Sequence, residues 1–346
     1  MQQPMAEELC DNNVTVHQQA APAPDLIDFA WWEITGRCQL SCNQCYASSG
    51  PDGSHGVMST ADWQRVITQT REAGASTGQF IGGEPTLHPD LSVLVRHALD
   101  AGMEIYTNLV HVTPAMWETF RLPGVRLATS YYSDDPAEHQ AITNRPTHRL
   151  TTKNIARARE LGIPLRAGVV GVLGQQRTQQ GTAVLEGLGV LDIGYDNLRE
   201  VGRGSRGANP GAEQLCGNCG DRQVAISPSG EVWPCVFSRW LPVGNVIVDP
   251  LTEILGSPQF SAALAELEEA FTPATSCSPN LCNPQCGPSC SPACNPQGTR
   301  LPCRPRGGCS PTYGSCNPDK TLCNPDRNCG PNKCRPHEVS STESEA

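Results

Sequence analysis

The stretch "GRCQLSCNQCYA" carries Cys38, Cys42 and Cys45 at a Cys-x3-Cys-x2-Cys spacing. Three thiolates on one tight loop can bind three corners of a cubane iron-sulfur cluster, leaving the fourth iron open to a substrate or cofactor. A four-coordinate zinc site would need a further ligand, and none is nearby. A second thiol-rich stretch, "CSPNLCNPQCGPSCSPACNP" at residues 277–296, has five cysteines in 20 residues, and all eleven cysteines from Cys277 to Cys334 fit Cys-x-Pro. Each proline blocks an interior helix and removes a backbone donor, so this tail cannot build a regular core by itself.

The elements that must position these thiols follow from the rest of the chain. Its 346 residues suffice for one large domain and a smaller one. Residues 1–26 read as a disordered leader. From 27 to 205 short apolar runs alternate with amphipathic stretches: "LIDFAWWEIT" predicts a buried strand, Ser59 to Ala73 a helix capped by Ser59 or Thr60, and "TGQFIGG" a strand. Asp90 to Ala101 then predicts a helix, "GMEIYTN" and "GVRLATS" strands, Thr151 to Leu161 a helix, and "IPLRAGVVGVL" and "VLDIGYDNLREV" the last strands. Strands separated by helices wind into a parallel sheet or barrel, and about six such units fit before residue 202. Six is short of the eight of a closed TIM barrel, so the expected fold is α/β, a partial (β/α)6 TIM-like barrel.

After "GRGSRG" the pattern breaks. "QVAISPSGEVWPC" predicts a β-hairpin turned by Pro228, Ser229 and Gly230, and a helix is expected over Pro250 to Phe271. The expected divisions are therefore a barrel over 27–205, a hairpin-plus-helix extension over 206–296 and an irregular Cys-rich tail over 297–346.

Composition narrows the function classes. The formal charge of -10 argues against a phosphate backbone as partner, which requires clustered Lys and Arg. No apolar run approaches the roughly 18 residues of a membrane span. "MQQPMAEELCDNNVTVHQQAAPAPD" has no secretory pattern, so the expected compartment is the cytoplasm, where 18 cysteines favour metal ligation or reactive thiols over disulfides.

The cysteine triplet, with Tyr46 after its third member, resembles the radical S-adenosylmethionine (radical SAM) superfamily. Thirty-seven residues after Cys45 begins "GGEPTLHPDL", which resembles the family's Gly-Gly-Glu-Pro segment, here Gly82, Gly83, Glu84 and Pro85. The resemblance implies that this segment lies along the amino group of the bound methionine. Two glycines permit close backbone approach there, and a carboxylate can accept from an ammonium. "TN" at Thr107 and Asn108 falls at the end of the third strand. Ser130 falls where the fourth strand offers a hydroxyl to the cofactor, although "SYYSDD" departs from the common pattern and makes Ser133 a competitor. Arg166 on the next strand is expected to pair with the methionine carboxylate. The implied cofactors are a [4Fe-4S] cluster on three cysteines and S-adenosylmethionine, fed by a flavodoxin- or ferredoxin-type electron donor. The implied chemistry is one-electron cleavage of the sulfonium to a 5'-deoxyadenosyl radical that abstracts hydrogen from an unactivated carbon.

Behind the barrel, Cys219, Gly230 and Cys235 resemble the opening of a SPASM or twitch extension, which implies an auxiliary iron-sulfur cluster on Cys219 and Cys235. The later cysteines depart from that family's spacing, and Cys282, Cys286, Cys290 and Cys294 are the densest set to complete it. Cys216 is a candidate hydrogen donor. His88, His111 and His139 lack metal-like spacing and read as structural or solvated. Three functions remain at this level. The favoured one is an enzyme acting on a small polar natural-product intermediate, a sugar, aminocyclitol or nucleoside, by dehydrogenation, epimerisation or decarboxylation. The alternatives are a maturase that crosslinks or epimerises a ribosomal peptide, and a thiol-rich metal-binding scaffold. The choice rests on the barrel's early start near residue 27, which leaves no room for an N-terminal leader-peptide module.

Overall fold

Residues 26–99 and 102–271 are described by a computed structural model of the chain. In chain order the elements are β1 (Phe29–Thr35), α1 (Thr60–Glu72), β2 (Thr77–Gly82), α2 (Leu91–Ala98), β3 (Gly102–Tyr106), α3 (Pro114–Phe120) and β4 (Val125–Tyr131). There follow α4 (Pro136–Thr143), α5 (His148–Glu160), β5 (Leu165–Gly171), α6 (Thr178–Gly187) and β6 (Asp192–Asn197). The last are β7 (Gln223–Ile226), β8 (Glu231–Trp233), β9 (Gly244–Asn245), α7 (Leu251–Leu255) and α8 (Pro258–Phe271).

The first six strands pair in sequence order, all parallel, and the sheet runs β6-β5-β4-β3-β2-β1-β7-β8-β9. Its ends, β6 and β9, do not meet, so the barrel stays open as expected from its six units. Strand β1 explains how the layers form. "FAWWEIT" is buried along its whole length, as a central parallel strand covered on both faces must be. Side-chain alternation sends Ala30, Trp32 and Ile34 into the main core under the helices. Phe29 and Trp31 go to the opposite face, where they join Ile81, Trp233, Cys219 and Cys235.

The hairpin predicted around Pro228 to Gly230 is present as β7 and β8, with Gly230 at φ +84° in its turn. It does not stand apart from the barrel: β7 pairs parallel with β1 from Phe29–Gln223 to Trp32–Ile226, so the extension continues the same sheet. The single helix expected over Pro250 to Phe271 is two. Gly256 ends α7, and the Ser257 hydroxyl accepts from the Phe260 amide at 3.0 Å to start α8, a side-chain cap that apolar periodicity does not reveal. Ser59, not Thr60, caps α1, through a reciprocal capping box with Asp62. The tail cysteines Cys282, Cys286, Cys290 and Cys294 lie outside the described residues.

Packing between β1 and β2 is tight enough to test. A Cβ added at Gly78 would lie 2.1 Å from the Trp32 ring, which is buried and has no room to retreat. Overpacking of this kind costs about 1–3 kcal/mol. Gly78→Ala should therefore lower the urea midpoint with an unchanged m-value, and a midpoint equal to wild type would show that the Trp32 layer can repack.

Candidate active site

At the carboxyl ends of the parallel strands, where such folds place their chemistry, lies a cleft of about 1180 Å³ including its open mouth. Cys38, Cys42 and Cys45 line it, together with Gly82 and Gly83 after β2, Asn108 after β3, Ser130 and Tyr132 at β4, and Asp196 and Arg199 at β6.

The cysteine loop leaves β1 and is held by its backbone. Thr35 Oγ1 accepts from the Arg37 amide, the Cys38 amide donates to the Gly50 carbonyl, and Asn144 Nδ2 reaches the Ser41 carbonyl from the end of α4. The sulfurs receive donors. The Leu40 amide lies 3.4 Å and Asn108 Nδ2 3.7 Å from Cys38 Sγ, and the Ser49 amide lies 3.3 Å from Cys45 Sγ. Burial, and then the charge of Glu84, push the Cys38 thiol up to about 12. Burial and the two neighbouring cysteines raise Cys42 likewise. Burial thus keeps the protons on the bare Cys38 and Cys42 thiols, whereas N–H donors aimed at sulfur favour thiolates once a metal takes the protons' place. This donor set fits an iron-sulfur cluster. Among the described residues no three His, Cys, Asp or Glu side chains are grouped to hold a single metal ion. Gln44 and His139 also line the cleft, and Gln44 Oε1 and His139 Nδ1 are buried with no hydrogen-bond partner among the described residues.

Glu84 is placed differently from expectation. Its carboxylate is fully buried and is absent from the cleft wall; it accepts from the Thr86 amide (3.1 Å), Thr86 Oγ1 (2.7 Å), Thr107 Oγ1 (2.7 Å) and the Asn108 amide (2.8 Å). Three of these donors fall on Oε1 and one on Oε2. Glu84 acts on the site by fixing Asn108, whose side chain accepts from Gln39 Nε2 and donates to Cys38. Pro85 is buried at the first position of the short turn that Glu84 caps. The backbone of Gly82 and Gly83 forms that part of the wall. Gly82 has φ +123°, and a Cβ there would lie 2.4 Å from the Thr35 carbonyl oxygen.

The two competing serines separate cleanly. Ser130 lines the cleft and is hydrogen-bonded to the Tyr106 hydroxyl at 2.9 Å, while the buried Ser133 hydroxyl accepts from the Asp135 amide and supports the start of α4. Arg166 is not brought to the cleft. It sits near the beginning of β5, away from the strand ends, and donates through Nε and Nη2 to both oxygens of Glu104 at 2.7 and 2.6 Å. The guanidinium also stacks over Tyr106, so the expected pairing with a ligand carboxylate is corrected to an internal ion pair.

Two features were missed from sequence. Asp196 and Arg199 form a buried pair on the β6 side of the cleft, with Arg199 Nη1 also donating to the Gln214 carbonyl at 2.6 Å. Burial pushes the Asp196 carboxyl up to about 7 against the pull of Arg199 and the Asn197 amide. The available signal was its place at the end of the last predicted strand. The second is the grouping of Cys216, named from sequence only as a candidate hydrogen donor. Its hydrogen bond to Cys219, then that of Cys235, and then burial hold the Cys219 thiol well above its ordinary range, so the three sulfurs form one group behind the cleft. Cys216 therefore sits with Cys219 and Cys235.

Comparison with known families agrees with both thiol groups. Residues 32–181 match the Radical SAM superfamily, and residues 216–295 match the SPASM iron-sulfur cluster-binding domain. The chain carries a radical SAM domain and a SPASM domain. A radical SAM enzyme of this kind uses a [4Fe-4S] cluster with S-adenosylmethionine, and its SPASM domain carries auxiliary iron-sulfur clusters. The chain is 28% identical over 279 residues to the PqqA peptide cyclase of Streptomyces rochei, covering 68% of this chain and 75% of that protein. It is 42% identical over 78 residues to the PqqA peptide cyclase of Bradyrhizobium diazoefficiens, covering 22% and 20%. In fold it resembles Streptococcus suis SuiB bound to its precursor peptide SuiA, with a TM-score of 0.58 at 15% identity over 69% of this chain and 66% of that one. The likeness to the PqqA peptide cyclases overturns the expectation of a small polar intermediate as substrate. The space before β1 was a poor guide because a leader-binding module can be a separate protein. Among the described residues no helix of this radical SAM enzyme is long and apolar enough to cross a membrane.

The buried carboxyl gives a pH test. Its raised pKa means that the folded chain holds this proton more tightly than the unfolded chain does, so the group's contribution to stability is present at low pH. That contribution is lost as pH rises from the ordinary carboxylate range through about 7. Infrared titration of the metal-free chain should show a carboxyl ionising near pH 7 that is missing in Asp196→Asn. Full ionisation of all carboxyls by about pH 5 would contradict the assignment.

Proposed function

We propose that this radical SAM enzyme matures a ribosomally synthesised precursor peptide by forming an intramolecular crosslink. The reading is carried by its likeness to the Streptomyces rochei PqqA peptide cyclase over 279 residues. A cytoplasmic flavodoxin- or ferredoxin-type protein is the proposed electron donor.

In this reading Cys38, Cys42 and Cys45 hold the [4Fe-4S] cluster, and Gly82, Gly83, Asn108 and Ser130 line the place of S-adenosylmethionine. When bound, this pair supplies a 5'-deoxyadenosyl radical for hydrogen abstraction. The chain's own residues do the positioning. Glu84 fixes Asn108 against Cys38, the glycines keep the wall low, and Ser130 is oriented by Tyr106. The apolar wall around Ile81, Val236 and Phe237 excludes water from a reactive carbon. A crosslink removes two hydrogens from the peptide, so a second electron and a proton need acceptors. Cys216, Cys219 and Cys235, with tail cysteines of the set Cys282, Cys286, Cys290 and Cys294, are where this chain would hold an auxiliary cluster as electron acceptor. Asp196, facing the cleft, is the nearby carboxylate suited to take the proton.

The test is to incubate the reconstituted enzyme with S-adenosylmethionine, reductant and each short peptide encoded in its gene neighbourhood. One peptide should lose about 2 Da, one crosslink's worth of hydrogen, while stimulating 5'-deoxyadenosine formation. Formation of 5'-deoxyadenosine that no peptide stimulates, with every peptide mass unchanged, would contradict the reading.

A further inference from the structure

Between β6 and the SPASM hairpin the chain makes a short helical turn, Gly202–Ser205, that lies directly on the cysteine loop. Arg203 at its centre donates through Nε to the Cys42 carbonyl at 2.8 Å and through Nη2 to the Ser49 carbonyl at 2.6 Å. Its own amide donates to the Cys45 carbonyl at 2.9 Å. One residue thus holds three carbonyls of the loop that carries the proposed cluster ligands. Among the described residues its guanidinium donates to these main-chain carbonyls and to no carboxylate, so its charge is not neutralised by an ion pair.

The flanking glycines show that this approach is built into the sequence. Gly202 has φ +58°, and a Cβ there would meet the Tyr46 carbonyl oxygen at 2.2 Å and the Cys45 oxygen at 2.6 Å. A Cβ at Gly204 would meet the Arg199 carbonyl oxygen at 2.3 Å. The Ser205 hydroxyl closes the turn on the Gly202 carbonyl at 2.8 Å. Only a Gly-Arg-Gly order lets the turn sit this low while sending a forked cation into the loop.

We propose that Arg203 is a positioning residue for the radical SAM cluster: its fork fixes the cysteine loop, and its uncompensated charge raises the cluster's reduction potential. This rests on the assignment of Cys38, Cys42 and Cys45 to that cluster. A nearby positive charge favours the more negative, reduced form. Because the turn leads from the barrel into the SPASM domain, displacement of either would be felt at the cysteine loop.

The experiment compares wild type, Arg203→Gln and Arg203→Lys after anaerobic reconstitution. Two quantities are read: the midpoint potential of the electron paramagnetic resonance signal that changes on adding S-adenosylmethionine, and the rate of iron loss to a chelator. Arg203→Gln should show a more negative midpoint and faster iron loss. Arg203→Lys keeps the charge without the fork, so its midpoint should stay close to wild type while iron loss is still accelerated. If Arg203→Gln assembles no cluster, the Lys variant decides by the same criteria. Wild-type midpoint and wild-type iron loss in either variant would overturn the inference. A wild-type enzyme without any signal responsive to S-adenosylmethionine would overturn the cluster assignment itself, and the inference with it.

Discussion

The site depends on one buried anion. Glu84 carries a carboxylate with no exposure to solvent, at a position where β1, β2 and β3 end together. Its amide donates to the Arg37 carbonyl and its oxygens collect four donors from the turn after β2 and the end of β3. Burial alone drives its pKa up, and the hydrogen bonds from Thr107, Asn108 and Thr86 pull it back. A carboxyl so placed is costly unless its oxygens are hydrogen-bonded, and that cost favours the one geometry that supplies these donors. Any shift of β3 relative to β1 would strand it. Asn108 therefore stays against Cys38, and the cysteine loop inherits a fixed floor.

The same logic runs through the connection to the SPASM domain. Pairing of β7 with β1 makes barrel and extension one sheet, so the Cys219 and Cys235 side of β1 and the Cys38 end of β1 are parts of one rigid element. Glu33, on the same face of β1 as Trp31, is buried and paired with both oxygens to Arg239 at 2.8 and 2.9 Å. Arg239 stacks over Trp233 at 4.2 Å and approaches Tyr46, the residue after Cys45. A cation shared between a buried carboxylate and two rings holds well only in one arrangement. It ties the hairpin to the cysteine loop at Tyr46.

Much of this was legible because it rests on local rules. Cys38, Cys42 and Cys45 are close in sequence, the Gly-Gly-Glu-Pro segment is contiguous, and β1 announces itself by the apolar run Phe29 to Trp32. What was not legible is what the sheet brings together from afar. Arg166 looked available because its partner, Glu104, lies 62 residues away on another strand. Glu84 looked like a ligand for an ammonium because Thr107 and Asn108, which donate to its two oxygens, are set against it only by β2–β3 pairing. Cys216 looked spare because Cys235 returns to it only through the hairpin. The substrate class was misjudged for a different reason: it was argued from chain length before β1, which places no side chain in the cleft.

The central claim is that two separate thiol sets serve two kinds of cluster. Iron, acid-labile sulfide and resonance spectra should be measured after reconstitution of two triple variants, one with Cys38, Cys42 and Cys45 changed to Ala and one with Cys216, Cys219 and Cys235 changed to Ala. The first should keep about four irons, one cubane cluster's worth, and lose every response to S-adenosylmethionine. The second should lose iron yet keep that response. A response to S-adenosylmethionine surviving in the first variant, or absent from the second while it retains its iron, would contradict the account.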